Sequence, residues 1–222
     1  MKEFAYPPGG NFAYGPLSPD LLASAVVLLE CALWDRRKFA RNENTHATSH
    51  ASSAIVLVVT AFDIWLGELL VGLMMDEDKT RTHLDRPTLA KYRALYERYH
   101  GKQAPVASDL ETVVSVRHEV VHHFTRPEAS ITPSWLPALQ ERRLLVTHPG
   151  APEVDYSVTQ KLGSYALAYW VFDALERTAK GLIEGAANPL AQLRSTDLHN
   201  FALYRQICSP KDLPRFDALH RS

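Results

Sequence analysis

The sequence predicts an all-α protein, a mainly antiparallel helix bundle with short irregular extras. Three observations predict it. Apolar residues recur at spacings of three and four over several long runs. Proline, glycine and polar clusters stand between those runs, where helices start and stop. Alternating apolar and polar residues, the mark of a half-buried strand, are scarce.

Residues 1–18, rich in Pro, Gly and aromatics, read as an irregular N-terminal arm. Leu21, Leu22, Ala25, Val26, Leu29 and Leu33 then place a first helix over 19–42, ending in the polar run RRKFARNENTH. A second helix over 47–75 carries Ala51, Ile55, Val58, Phe62, Trp65, Leu69 and Leu73 as one stripe and is apolar elsewhere too, so it is the expected central helix. The polar run DEDKTRTHLDRP reads as the loop that ends it. Pro87 suits the first turn of a third helix, 87–100, and Gly101 its C-cap. Ser108 with Glu111 has the spacing of a capping box and opens a fourth helix over 108–125.

Pro133 stands before and Pro137 in the first turn of a shorter helix near 136–145, and a long helix follows over 157–184, broken by Gly185 and Pro189. Short helical pieces finish the chain. The segments ASITPSW and RLLVTH make at most a short hairpin. The expected organisation is the arm, one helical domain over 19–185, and a helical tail over 186–222 packed on it.

Composition bounds the function. The chain has 222 residues, 46% of them hydrophobic and 22% charged, with a net charge of −1. That is ordinary for a soluble domain, and there is no global field to draw in nucleic acid, so any such contact needs a local basic cluster. Arg36-Arg37-Lys38 with Arg41, and Arg142-Arg143, are the candidate clusters. Trp34, Trp65, Trp135 and Trp170 fall mainly at core spacings, with Trp135, beside two prolines, the one expected to be exposed. Cys31 and Cys208 read as reduced thiols. The N-terminus lacks the apolar stretch of a signal peptide. Residues 54–75 approach the length of a membrane span, but Asp63 and Glu68 lie inside the run, which favours a core helix. A cytoplasmic protein with no membrane partner is the expectation.

The stretch RHEVVHHF, residues 117–124, carries the chemistry. Two motifs overlap in it. His118, Glu119 and His122 make H-E-x-x-H, which on a helix sets two imidazoles one turn apart for zinc with a glutamate as base. No Gly or third His follows soon after, and Glu128, Glu141 and Glu176 are only distant candidates for a third ligand. Arg117 and His122 make Arg-x4-His, which needs no metal. A guanidinium can hold a scissile phosphate through its planar fork, and an imidazole can move a proton near neutral pH.

Helical phase separates the two readings. Taking Val113 as origin, Val116, Val120 and Phe124 fall within about 60° of it, and Arg117 falls at about 40°, inside the apolar face. His118 and His122 fall at about 140° and 180°, on the other side. An arginine in an apolar stripe is costly unless it pairs with an acid or lines a site. Asp63, and after it Glu68, are the acids expected to meet it from the second helix. His123, at about 280°, is an alternative base or a structural neighbour.

Arg117, then His118, then Glu119-Val120-Val121 and His122 near the end of a bundle helix resembles the motif of the HEPN superfamily. FDIWLGELL resembles that family's helix with an acid facing the motif, and SYALAYWVFDALERTAKGL resembles its last core helix. The resemblance covers about residues 45–185. It implies a metal-independent, cofactor-free endoribonuclease acting as a homodimer, often a toxin or phage-defence effector. Arg117 and His122 would be catalytic, with His118, Asp63, Glu68, Glu119 and His123 supporting. RNA would be the substrate, and an antitoxin or defence-system protein a candidate partner. Family members neutralised by a nucleotidyltransferase carry a modified tyrosine in His-x-Tyr; here that place is Phe124. Two alternatives stand beside this reading: a non-catalytic HEPN-like module that binds RNA or nucleotides or dimerises, and a zinc-dependent hydrolase acting through H-E-x-x-H.

Overall fold

The computed structural model describes residues 17–39, 44–73, 85–122, 133–147, 157–186 and 197–207. Its regular elements are all helical. They are α1 (Ser18–Phe39), α2 (Ser49–Leu73), α3 (Thr88–His100), α4 (Ser108–His122), α5 (Leu136–Glu141), α6 (Val158–Leu162), α7 (Tyr165–Ile183), α8 (Asp197–Ala202) and a closing 3-10 turn, Leu203–Gln206. The proposed hairpin is absent among the described residues. Val146 N–H instead donates to Lys161 O, and Thr147 N–H to Asn44 O. Residues 129–132 of that hairpin lie outside the described residues.

The sequence explains which helices are central. α2 is apolar nearly all round, and Ile55, Val58, Phe62, Trp65, Leu66 and Leu69 are all buried. It packs against α1, α3, α4 and α7. It is long and apolar enough to cross a membrane, yet 61% of its most apolar window is buried inside the protein. α7 is the second core helix, buried without a break from Tyr165 to Glu176.

α1 runs antiparallel to α2. Glu68, near the end of α2, accepts the backbone N–H groups of Leu17 (2.8 Å) and Ser18 (3.1 Å) and the Ser18 hydroxyl (2.6 Å). It thus caps donors that the start of a helix leaves open. α4 packs against α6 and α7, and Asp109 in its first turn pairs with Arg177 in the second half of α7.

One expectation fails. The long helix over 157–184 is two helices, because Ser164 starts a new one. Its hydroxyl accepts Leu167 N–H at 2.9 Å and donates to Leu144 O. Gly163 allows the junction to sit close on the start of α2. Its carbonyl accepts Thr48 N–H at 2.9 Å, and an added Cβ would lie 3.2 Å from that of Ala47. Ser164→Ala removes a helix cap and orphans a buried carbonyl, so it should destabilise the protein by about 2 kcal/mol in urea denaturation. Gly101 closes α3 in the left-handed region, φ 64°, as expected.

The described part of the C-terminal segment, 197–207, packs on the bundle. Phe201 stacks edge-on to Phe62 and Trp65, and the Trp65 indole N–H donates to Asp197 at 2.8 Å.

Candidate active site

α4 presents three faces. Leu110, Val113 and Val116 are buried in the core, with Val114 and Val120 packed at the margin. Arg117 is half-buried on the flank of that stripe rather than inside it. His118 is exposed, and Glu119 and His122 are half-buried. The two imidazoles that the sequence puts one turn apart do meet. The His118 and His122 rings lie 4.6 Å apart, tilted by 44°. His123 and Phe124 lie outside the described residues.

The acids expected opposite Arg117 are engaged elsewhere. Asp63 faces the start of α3, where Oδ1 accepts from the Thr88 hydroxyl and Oδ2 from the Lys91 ammonium, both at 2.8 Å. Lys91 is itself buried, so this pair holds α2 to α3. Glu68 caps α1, as described above. The reason is packing order: the faces of α2 that carry these acids meet α3 and α1.

Glu176, a distant candidate for a zinc ligand, has a different role. It is 1% exposed and accepts from the Arg205 guanidinium (2.7 Å) and the Tyr204 hydroxyl (2.8 Å), with Lys180 at 2.7 Å. Asp173, one turn earlier, pairs with Arg177 and Arg205. This cluster ties the tail to α7. Burial and the two carboxylates push the Tyr204 phenol far up, so it stays protonated as a donor. Among the described residues, no group of three metal-binding side chains gathers at His118 and His122 or elsewhere.

The structure also assembles a pair with no motif to announce it. Asp35 Oδ2 accepts from His50 Nδ1 at 2.8 Å and from the Thr48 hydroxyl at 2.6 Å. Thr48 in turn caps α2 by accepting His50 N–H. Asp35 is buried and His50 half-exposed, so the carboxylate fixes the ring and turns Nε2 outward. The pair sits where α1 ends and α2 begins. That is also where Gly163 joins α6 to α7.

Two carboxylates are held below their ordinary range. Burial works to raise Asp35, but hydrogen bonds from Thr48 and His50 and the charges of His50 and His46 outweigh it, leaving it below 3.8. Burial likewise opposes Glu176, and Lys180, Arg205 and Tyr204 outweigh it, leaving it below 4.5. Each folded value is lower than the unfolded one, so each contributes stability above the ordinary carboxylate range that is lost as pH falls through the folded value. The melting temperature should therefore hold from neutral pH to about pH 5 and fall below about pH 4. Asp35→Asn, measured in the same thermal series, should make that fall shallower.

No family model matches the chain, and neither the curated proteins nor the solved structures contain a match. What the site can do rests on its own geometry. Arg142, one of the candidate RNA contacts, pairs with Asp109 at 3.2 Å and lies 5.6 Å from the Trp170 ring centre, which is a packing role. Trp135, the tryptophan expected to be exposed, is half-buried; Trp34 is the exposed one, at 56%.

Proposed function

We propose that the protein is a metal-independent endoribonuclease of HEPN type, a homodimer that acts as a toxin or defence effector. One observation carries the reading. Arg117 is half-buried five residues before His122 on α4, and both acids expected to make it a structural ion pair are bound to other groups. A partly desolvated guanidinium is suited to a phosphate.

Arg117 holds the scissile phosphate. His122 takes the proton of the ribose 2′-hydroxyl, whose oxygen attacks phosphorus. The bond to the 5′-oxygen breaks, and that oxygen receives a proton. The products are a 2′,3′-cyclic phosphate and a 5′-hydroxyl end. His118, its ring tilted against that of His122, restricts how the latter turns. Arg117 and His122 lie about 140° apart around the helix, so a second copy of α4 across a dimer axis completes the cleft.

Mixed dimers test this. Arg117→Ala and His122→Ala chains, each inactive alone, should regain part of the RNA cleavage when mixed and allowed to exchange. No recovery in exchanged dimers counts against a shared cleft.

The contact between His118 and His122 favours a second reading, a zinc hydrolase with Glu119 as base. Tightly held zinc, near one per chain, with activity lost to a chelator would select it. Binding of RNA without cleavage would select the non-catalytic module instead.

A further inference from the structure

Among the described residues, the only large aromatic side chains left exposed are Trp34 and Phe39, each 56% exposed. They stand together at the end of α1. Their rings meet edge-on with centres 6.2 Å apart, and the Phe39 ring continues to His46 at 5.4 Å. The Lys38 ammonium lies 4.4 Å from the centre of the Trp34 ring and 5.1 Å from that of Phe39. Exposed Arg37 is next in the chain, and His50, held by Asp35, is in the first turn of α2.

Basic residues in a last turn are favoured by the helix dipole and would need no ligand. Two exposed aromatic rings need another account. A core position is excluded by their exposure. An isologous contact with a second copy would bring Arg37 and Lys38 toward their own counterparts, a like-charge arrangement that disfavours it. Toward the end of the helix, Asp35 is turned inward onto Thr48 and His50, and the nearest other acid on α1 is the exposed Glu30, one turn before Trp34. What remains outside at the helix end is a pair of π-faces with Lys38 against them and exposed Arg37 beside it. A flexible polyanion with flat, stackable bases complements both features.

We infer that Trp34, Phe39, Lys38 and His46 form a platform for single-stranded RNA, with bases stacked on the two rings and phosphates drawn to Lys38 and Arg37. Duplex RNA hides its base faces and does not fit. The platform stands where α1 ends, beside the start of α2, whose Thr48 N–H is bonded to Gly163 O at the head of α7. The inference rests on the ribonuclease reading for the identity of its ligand but concerns a separate surface.

The test uses the full chain and a fluorescent, fully 2′-O-methylated single-stranded oligonucleotide, which binds but cannot be cut. Trp34→Ala and Phe39→Ala should each weaken binding about 10-fold. Lys38→Ala should lower the salt dependence of log K by about 0.7. Trp34→Phe should keep most of the affinity but lose any tryptophan quenching that RNA produces. All three positions are exposed, so melting temperature should stay at the wild-type value. The inference is overturned if both alanine variants bind as wild type, if nothing binds, or if duplex RNA competes equally well. It is also overturned if Trp34→Ala dissociates a dimer in sedimentation, which would make the patch a protein interface. The two readings fail separately. Cleavage that needs Arg117 but ignores Trp34 sinks the platform alone. Binding through Trp34 with no cleavage of ordinary RNA sinks the ribonuclease alone.

Discussion

On the proposed ribonuclease reading, Arg117→Ala and His122→Ala should each lower RNA cleavage by about 100- to 10,000-fold, while circular dichroism and melting temperature should remain close to wild type. The two effects have different origins. Loss of the guanidinium leaves the charge of the scissile phosphate without its fork-shaped partner. Loss of the imidazole leaves the 2′-hydroxyl without a base. Because the groups act on one transition state, the double variant should be little worse than the poorer single one. The fold tolerates both changes because Arg117 sits on the flank of the core stripe and His122 is half-buried. Asp63→Asn is the informative control. Asp63 binds Lys91 and Thr88, so this variant should weaken the α2–α3 contact and leave the cleavage rate unchanged. A strong loss of cleavage in Asp63→Asn would mean that Asp63 acts on Arg117 after all.

Glu176→Ala should be the most destabilising change among the charged residues, at about 3 kcal/mol. Glu176 is 1% exposed and draws Lys180, Arg205 and Tyr204 to one point between α7 and the tail. Its loss leaves a cavity and a buried Tyr204 hydroxyl with weaker partners. Lys180 and Arg205 are 42% and 50% exposed and can return to water, which keeps the cost at the low end for a broken buried pair. For a chain of this size that is about 6–12 °C of melting temperature. The tail should also loosen, and limited proteolysis within 197–207 should speed up in step. A loss under about 1 kcal/mol would show that the cluster is solvated and that the aromatic contacts of Phe201 hold the tail by themselves.

The helices were legible because their burial is periodic. In α1 the residues Leu22, Ala25, Leu29 and Leu33 fall on one face in the sequence and are buried together in the structure. The break between α6 and α7 was not legible. Gly163 and Ser164 look like two small residues inside a long run, and only the approach of Ala47 and Leu144 makes one a close contact and the other a cap. Helical phase placed Arg117 near the apolar face of α4 but could not say which acid would meet it. That depends on which neighbour each face of α2 takes, and the faces carrying Asp63 and Glu68 take α3 and α1. The Asp35–His50 pair joins residues on either side of a connection, so no spacing signals it. Trp34 has the spacing of a core residue, yet its turn of α1 faces out because α2 covers the other side, where Ala32 and Leu33 lie.

The most direct test of the Arg117–His122 chemistry is to follow one end-labelled RNA with purified protein in excess chelator and identify the new ends. The account predicts that cleavage persists in chelator, leaves 2′,3′-cyclic phosphate ends, and stops at any position where the 2′-hydroxyl is replaced by hydrogen. Cleavage that vanishes in chelator and returns with zinc, or that proceeds past a 2′-deoxy position, would contradict it.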